Sequence, residues 1–179
     1  SGCSKLTSIT MPNSVTYIGS NAFENCNKLT NVTVSTGLLE VGDYVFKNCT
    51  NLSTIVLPNT LTIIGKGMFE NCTALTNITL PNALTTIDSN AFSGCSNLES
   101  ITIPEIVTSI GENAFKNCGN LSSITLPESV EHVGAGAFQN CEELDTVIVQ
   151  REISQITSLG TYVFEGCKTT LQIVVPMYR

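Results

Sequence analysis

Eight cysteines, one histidine and several clustered carboxylates are the residues of this 179-residue chain whose chemistry could extend beyond packing. Seven of the cysteines recur every 23 residues, and the eighth follows after 26. They are Cys3, Cys26, Cys49, Cys72, Cys95, Cys118, Cys141 and Cys167. Thiols can form disulfides, bind zinc or act as nucleophiles. Because zinc sites use closely spaced pairs such as Cys-x-x-Cys, which are absent here, the spacing does not predict a metal site.

The regular spacing favours a ladder of reduced thiols over disulfides. Cysteines that recur once per structural repeat have parallel side-chain vectors, whereas disulfide-rich domains have irregular spacings and weak apolar patterns. We therefore expect the thiols to be buried in one column and to pack as small hydrophobic side chains. The sequence leaves open whether Cys141 and Cys167 stay reduced, since the irregular stretch between them could shift their alignment.

The other polar residues give little support to catalysis. His132 is the only histidine, and it occupies a position typical of an exposed turn residue. The carboxylates near it, such as Glu128 and Glu131, fit a solvated acidic face better than a catalytic pair. No Gly-rich phosphate loop, Gly-x-Ser-x-Gly elbow or EF-hand spacing occurs. The sequence therefore predicts a protein that is not an enzyme and that uses no cofactor.

The elements that position these residues repeat with the same period. One repeat reads Cys-x-x-Leu-x-x-Ile-x-Leu-Pro-x-x-Val-x-x-Ile-Gly-x-x-Ala-Phe-x-x, and all seven phenylalanines lie three residues before a cysteine. The alternating Ile-x-Leu segment predicts a short strand with one buried face, which the proline ends. The glycine suits a bend that needs positive φ or close backbone approach, and Ala-Phe fits a single 3₁₀ or α-helical turn. Self-similarity at this period predicts a solenoid.

One stretch shows a family resemblance with particular clarity. The string Leu121-Ser-Ser-Ile-Thr-Leu-Pro-Glu-Ser-Val-Glu-His-Val-Gly-Ala-Gly-Ala-Phe-Gln-Asn-Cys141 closely resembles the BspA-like, or Treponema-type, leucine-rich repeats. The resemblance covers essentially the whole chain. It implies an α/β-type solenoid, a right-handed superhelix with a curved parallel β-sheet and short 3₁₀ or helical turns on the convex side. It also implies a secreted or cell-surface protein that binds host proteins, other cells or matrix, although it supplies no binding residues.

Length and charge narrow the class of protein further. Residues 1–179 contain about seven 23-residue repeats and a partial C-terminal repeat without an internal linker, which predicts a single domain. The chain begins inside a repeat and ends at Pro176-Met-Tyr-Arg179, just after a predicted strand, so we expect a fragment of a larger protein. A net charge of −7 argues against a nucleic-acid partner, and no apolar run is long enough for membrane insertion. The expected partner is a protein or a glycan.

The exposed side of the predicted sheet is the best candidate binding surface. Side chains on either side of the central isoleucine of each Ile-x-Leu strand point away from the core. Those predicted to bind are Ser8, Thr10, Asn31, Thr33, Thr54, Asn77, Thr79, Ser100, Thr102, Ser123, Thr125 and Thr146. Val56 and Ile148 complete the two columns. Since Ser and Thr also suit exposed strand positions and hydrogen-bond along a ladder, the same pattern is explained without a ligand.

Three other features compete with this face. From Gly67 to Gln150 the chain has ten acidic residues and only Lys116 as a base, an acidic flank that could attract a basic partner or weakly held calcium. Tyrosines 17, 44 and 162 are predicted to lie in turns along one flank, off the sheet face. Three extra residues enter the last repeat around residues 150–156, where an insertion can form a binding loop or mark a boundary.

The sequence analysis thus favours a non-enzymatic interaction module. Two alternatives remain: a rigid spacer that presents another domain, and a carbohydrate-binding face. The carbohydrate reading depends on the neutral hydroxyl columns but lacks aromatic rings on which sugars could stack. Neither the ligand nor the binding face follows from the sequence.

Overall fold

The alternating Ile-x-Leu segments form short parallel strands, and a second set of two-residue strands follows them within the coils. The computed structural model describes residues 2–175, so the chain end at 176–179, predicted to follow a strand, lies outside the described residues. The strands are β1 (Ser8–Thr10), β2 (Tyr17–Ile18), β3 (Asn31–Thr33), β4 (Glu40–Val41), β5 (Thr54–Val56), β6 (Ile63–Ile64), β7 (Thr86–Ile87), β8 (Ser109–Ile110), β9 (Ser123–Leu126), β10 (His132–Val133), β11 (Thr146–Val149), β12 (Ser158–Leu159) and β13 (Gln172–Val174). One 3₁₀ turn, Ile153–Gln155, precedes β12.

These strands stack as a parallel β-solenoid of about seven turns, which confirms the predicted fold class. The Ile-x-Leu strands form a first strand column with the orders β1-β3-β5 and β9-β11-β13. The two-residue strands form a second strand column with the orders β2-β4 and β6-β7-β8-β10-β12. Pairing follows the 23-residue period, so that Ser8 lies opposite Asn31 and Asn31 opposite Thr54. The division of the chain into one domain stays a prediction.

The first strand column is interrupted between β5 and β9, where the sequence predicts two further strands. Residues 77–80 and 100–103 are not assigned as strand, yet their alternation persists, with Ile78 and Ile101 buried. Side-chain packing therefore fixes which residues face the core even where regular ladder hydrogen bonds are missing.

A column of stacked phenylalanine rings fills the centre of the solenoid. Consecutive rings from Phe23 to Phe164 have centroids 5.2–5.7 Å apart and planes within 14° of parallel. The five inner rings are fully buried, among the leucines, isoleucines and cysteines of each coil. Offset-stacked aromatic rings gain energy beyond the area that they bury, so the phenylalanines are the largest core contributors in each coil.

The Ala-Phe segments are turns, which corrects the prediction of a helical turn. Each contains two residues with positive φ, one five positions and one immediately before the cysteine, for example Asn21 at 59° and Asn25 at 63°. Two left-handed residues in five cannot belong to a right-handed helix. Backbone N–H groups along the segment donate alternately to two kinds of carbonyl. The Cys26 N–H donates to the Phe23 carbonyl three residues back, and the Phe23 N–H donates to the Val45 carbonyl of the next coil. The segment is therefore a run of turns held against the following coil.

The glycine column contributes close backbone approach and not positive φ. No glycine seven residues before a cysteine, such as Gly111 or Gly134, has a positive φ. A Cβ on Gly111 would instead lie 2.4 Å from the backbone N of Ser89, and one on Gly134 would lie 2.3 Å from that of Glu112. Glycine is needed here because the previous coil occupies the space of a side chain.

Candidate functional site: the exposed sheet face

The twelve predicted residues lie on one face of the first strand column, which we call the hydroxyl face. Ten of them are exposed, while Thr125 and Thr146 are half-buried. Register places them in two columns, since Thr10 lies opposite Thr33, and Thr33 lies opposite Val56. At 80% exposure, Val56 is the most exposed large hydrophobic residue among those described. The orientation inferred from the period-two pattern is therefore correct, whereas a binding role for these residues stays a prediction.

Most side chains of the hydroxyl face have no partner within the protein. Among residues 2–175, only two of the twelve take part in a side-chain hydrogen bond: Asn77 with the Thr76 hydroxyl at 3.5 Å, and Thr146 with Asp145 at 2.9 Å. Elsewhere, threonine hydroxyls do bond between coils, as Thr85 does to the carbonyl of Thr62. The alternative that these residues form a hydrogen-bonded side-chain ladder is therefore not what the structure contains.

Two shallow grooves cross the hydroxyl face. One of about 290 Å³ lies between the second and third coils and is lined by residues 31–34, 54–56 and Pro58. The other, of about 450 Å³, lies where the ladder is interrupted after β5, between residues 54–57 and 77–81. Open grooves of this kind suit an extended macromolecular segment better than a small molecule, which favours enclosed pockets.

Inside the solenoid, the cysteine column is a ladder of hydrogen-bonded thiols. Each Sγ from Cys49 to Cys141 donates to the carbonyl of the phenylalanine 26 residues earlier, and that of Cys167 donates to the phenylalanine 29 residues earlier, at 3.1–3.3 Å. Cys26 to Cys141 are buried, Cys167 is half-buried, and all eight cysteines are unpaired. The predicted burial is confirmed for the inner six and is wrong for Cys3, which is exposed because no earlier coil in the chain covers it. Cys167 keeps its place in the ladder despite the insertion.

Burial also keeps these thiols protonated. Desolvation raises the pKa of Cys49, Cys95 and Cys141 to about 12, and it raises the pKa of Cys72 and Cys118 well above the usual value. Since the thiolate is the nucleophile and the metal ligand, the inner cysteines are chemically inert in the folded protein.

Iodoacetamide at about pH 8 is expected to modify Cys3 rapidly, Cys167 slowly and the inner cysteines only after unfolding. The reason is access together with the raised pKa of the buried thiols. Mass spectrometry of peptides from native and urea-unfolded samples measures each site. Rapid modification of Cys95 in the native protein would contradict the ladder.

Comparison with known proteins agrees with this geometry. The family model for the BspA type leucine rich repeat region matches residues 1–112 and 64–177, with 6 copies. The chain belongs to this family. A comparison with curated proteins gave no match.

Solved leucine-rich repeat structures are similar to this BspA-type protein over almost its whole length. A leucine-rich repeat protein from Bacteroides ovatus is 24% identical with a TM-score of 0.74, over 97% of this chain and 56% of that one. The Treponema pallidum leucine-rich repeat protein is 30% identical with a TM-score of 0.64, over 96% and 67%. A leucine-rich cell surface protein from Faecalibacterium prausnitzii is 27% identical with a TM-score of 0.55, over 96% and 61%. This BspA-type chain therefore spans only 56% of the length of the Bacteroides protein.

The tyrosines of this BspA-type protein do not form one flank. Tyr17 lies in β2 and not in a turn, and it is 58% exposed. Tyr44 has a positive φ, and the Nζ of Lys47 lies over its ring, 5.0 Å from the centroid. A lysine of the same chain therefore already covers this ring. Tyr162 is exposed in the last coil. The sequence misses the position of Tyr17 because a two-residue strand has no detectable periodicity.

Two carboxylates of the acidic flank are paired with lysines. Glu143 pairs with Lys168 at 2.7 Å, and Glu70 pairs with Lys47 at 3.2 Å. The hydrogen bond with Glu143 raises the pKa of Lys168. Residues 2–175 contain no group of three or more His, Cys, Asp or Glu side chains that could hold a metal ion.

The insertion in the last repeat packs against the preceding coil, and the histidine is exposed to solvent. The insertion forms the 3₁₀ turn, and Arg151 Nη1 donates to the Val130 carbonyl at 3.0 Å, which anchors the loop. His132 is exposed in β10, with Nδ1 3.4 Å from the Thr157 hydroxyl.

Among the described residues, no helix has the length and apolar character required to cross a bilayer.

Proposed function

We propose that this chain is a non-enzymatic interaction module of a bacterial surface or secreted protein, and that its hydroxyl face binds a protein or glycan of another cell or of the matrix. The observation that carries the proposal is the set of exposed hydroxyl and amide groups that lack partners within the protein. Such groups exchange water for ligand without breaking any internal hydrogen bond. The similarity to a leucine-rich cell surface protein supports a surface location.

The chemistry of the hydroxyl face sets the kind of contact. It has no charged or aromatic residue, and tight protein interfaces usually depend on tryptophan, tyrosine or arginine. Each coil presents the same small polar groups, so a ligand with a repeating backbone would contact several coils at once. We therefore propose weak individual contacts whose affinity comes from multivalency.

Replacing Thr79 and Thr102 together with lysine is expected to abolish ligand binding. Both residues are exposed at the centre of the hydroxyl face, so two lysine side chains there would obstruct a neutral ligand without disturbing the core. The measurement is binding of the purified domain to an array of matrix proteins, mucins and glycans.

The matched control is Thr50→Lys with Ser96→Lys, which adds the same charge on exposed turn residues directly after a cysteine. Binding that is lost only in the face variant supports the proposal and identifies the ligand class as protein or glycan. Equal loss in both variants assigns the effect to net charge. Absence of any binding on the array would favour the spacer alternative.

A further inference from the structure

The second strand column presents its own exposed surface, separate from the hydroxyl face. Two positions per coil face outward there, and three of the seven coils fill both with threonine or serine, as in Thr85 with Thr86 and Thr108 with Ser109. In each of the first three coils, a large apolar residue occupies one of the two positions: Tyr17, Leu39 and Ile63. These are 58%, 59% and 49% exposed. Three neighbouring coils therefore form an apolar patch at positions that the later coils fill with polar residues.

This patch lines a groove where the second strand column is broken. β4 pairs only with β2, and β6 pairs only with β7, so no ladder joins the second and third coils in this column. The groove lies across that break, and its walls include Tyr17, Leu39 and Ile63. Among the described residues, no backbone bond joins the Gly65 N–H to the Val41 carbonyl across this break, whereas the equivalent bond from the Asp88 N–H to the Ile64 carbonyl exists at 2.9 Å.

Carboxylates surround the apolar residues of this groove. Glu40, Asp43 and Asp88 line it, and no basic side chain is among its lining residues. Lys66, which is next in sequence to the lining residue Gly65, has its Nζ near the Tyr44 ring at 5.9 Å from the centroid. Asp88 is also the single departure from the glycine column, and its Oδ1 accepts the Ser89 N–H at 2.6 Å. The carboxylate set thus includes a residue that the repeat pattern does not provide elsewhere.

We propose that this groove is a second binding surface, for an extended cationic peptide segment in which arginine or lysine alternates with large apolar side chains. The apolar side chains would pack on Tyr17, Leu39 and Ile63, and the cations would lie beside Glu40, Asp43 and Asp88. Tyrosine is enriched at binding hot spots, and surrounding carboxylates select for a basic partner. Three coils at about 4.8 Å per strand span roughly the length of four to five extended residues.

The test uses a fluorescein-labelled peptide of alternating arginine and leucine, about eight residues long, measured by fluorescence anisotropy with the intact 179-residue chain. Two further peptides, glutamate–leucine and arginine–serine, separate charge from apolar contact. We expect the arginine–leucine peptide to bind and the other two to bind at least about fivefold more weakly.

Two double variants test whether the peptide binds in this groove. Tyr17→Ser with Ile63→Ser removes apolar contact, and Asp43→Asn with Asp88→Asn removes charge; each is expected to weaken binding at least about fivefold. The matched controls are Ile106→Ser, which removes another exposed hydrophobic residue, and Glu112→Gln with Glu128→Gln, which removes two exposed acids elsewhere. Lack of arginine–leucine binding, or equal weakening in the controls, would overturn the proposal. Thermal unfolding of every variant verifies that the exposed substitutions leave the fold intact.

Discussion

Replacing Phe92 with alanine is expected to lower the free energy of unfolding by about 3–5 kcal/mol. Phe92 is fully buried and stacks between Phe69 and Phe115, with centroid distances of 5.4 and 5.3 Å. Truncation leaves a cavity that rigid neighbouring coils cannot fill, because each adjacent ring is fixed by the next. Urea denaturation followed by far-UV circular dichroism measures the change.

Phe164→Ala is the matched control, since it removes the same ring at the end of the column. Phe164 is only half-buried and stacks on one side alone, against Phe138 at 5.7 Å. We expect its loss to cost clearly less than the loss of Phe92. Equal costs at the two positions would contradict this account, because the two rings differ both in burial and in the number of stacked neighbours. In a solenoid each coil contacts mainly its neighbours, so the central position should also affect cooperativity more.

The sequence was sufficient to predict the features that depend on the period. Residues such as Phe92, Cys95 and Leu98 recur at fixed offsets, and identical coils can bury them only against one another. The same reasoning oriented the hydroxyl face, since alternate side chains of a strand point in opposite directions. Both inferences require only that the chain be a solenoid with one core.

Local backbone geometry was less accessible. The glycine column was expected to provide either positive φ or close backbone approach; it provides the second, and positive φ lies at positions such as Asn48 and Asn71. The residue directly before the cysteine is asparagine in some repeats and glycine in others. Because these two residue types tolerate positive φ best, this pattern could have located the left-handed backbone. The side chains at these positions also bond between coils, as Asn48 does to Asn25 at 2.7 Å and Asn71 to Asn48 at 2.9 Å. Each Asn therefore serves the turn and the stacking together.

The second strand column escaped prediction for a different reason. Its strands are two residues long, which is too short for alternation to distinguish a strand from a turn. Its exposed apolar residues were visible in the sequence, but without the strand assignment Leu39 and Ile63 could not be placed on one surface. Departures from the repeat become informative about binding only when the structure shows that they are neighbours.

Replacing Gly111 with alanine is expected to destabilise the protein by about 1–3 kcal/mol or more, although the substitution adds only a methyl group. The new Cβ would lie 2.4 Å from the Ser89 backbone N and 2.6 Å from the Asp88 carbonyl carbon, and neither atom can move without shifting its coil. Such a shift would strain the Gly111 N–H bond to the Ile87 carbonyl, which is 2.8 Å long. Urea denaturation of the variant gives the free energy of unfolding.

Gly19→Ala tests the same substitution at the same offset without the steric conflict. The first coil has no preceding coil in this chain, and a Cβ on Gly19 would meet only Tyr17 Cε1 at 3.9 Å. Because alanine restricts the unfolded chain, this change is expected to be neutral or stabilising by about 0.4–1 kcal/mol. Opposite signs at the two positions would establish that glycine is required by contact between coils. A similar loss at Gly19 would instead indicate that the bend itself needs glycine, because the first coil lacks the neighbour that causes the clash.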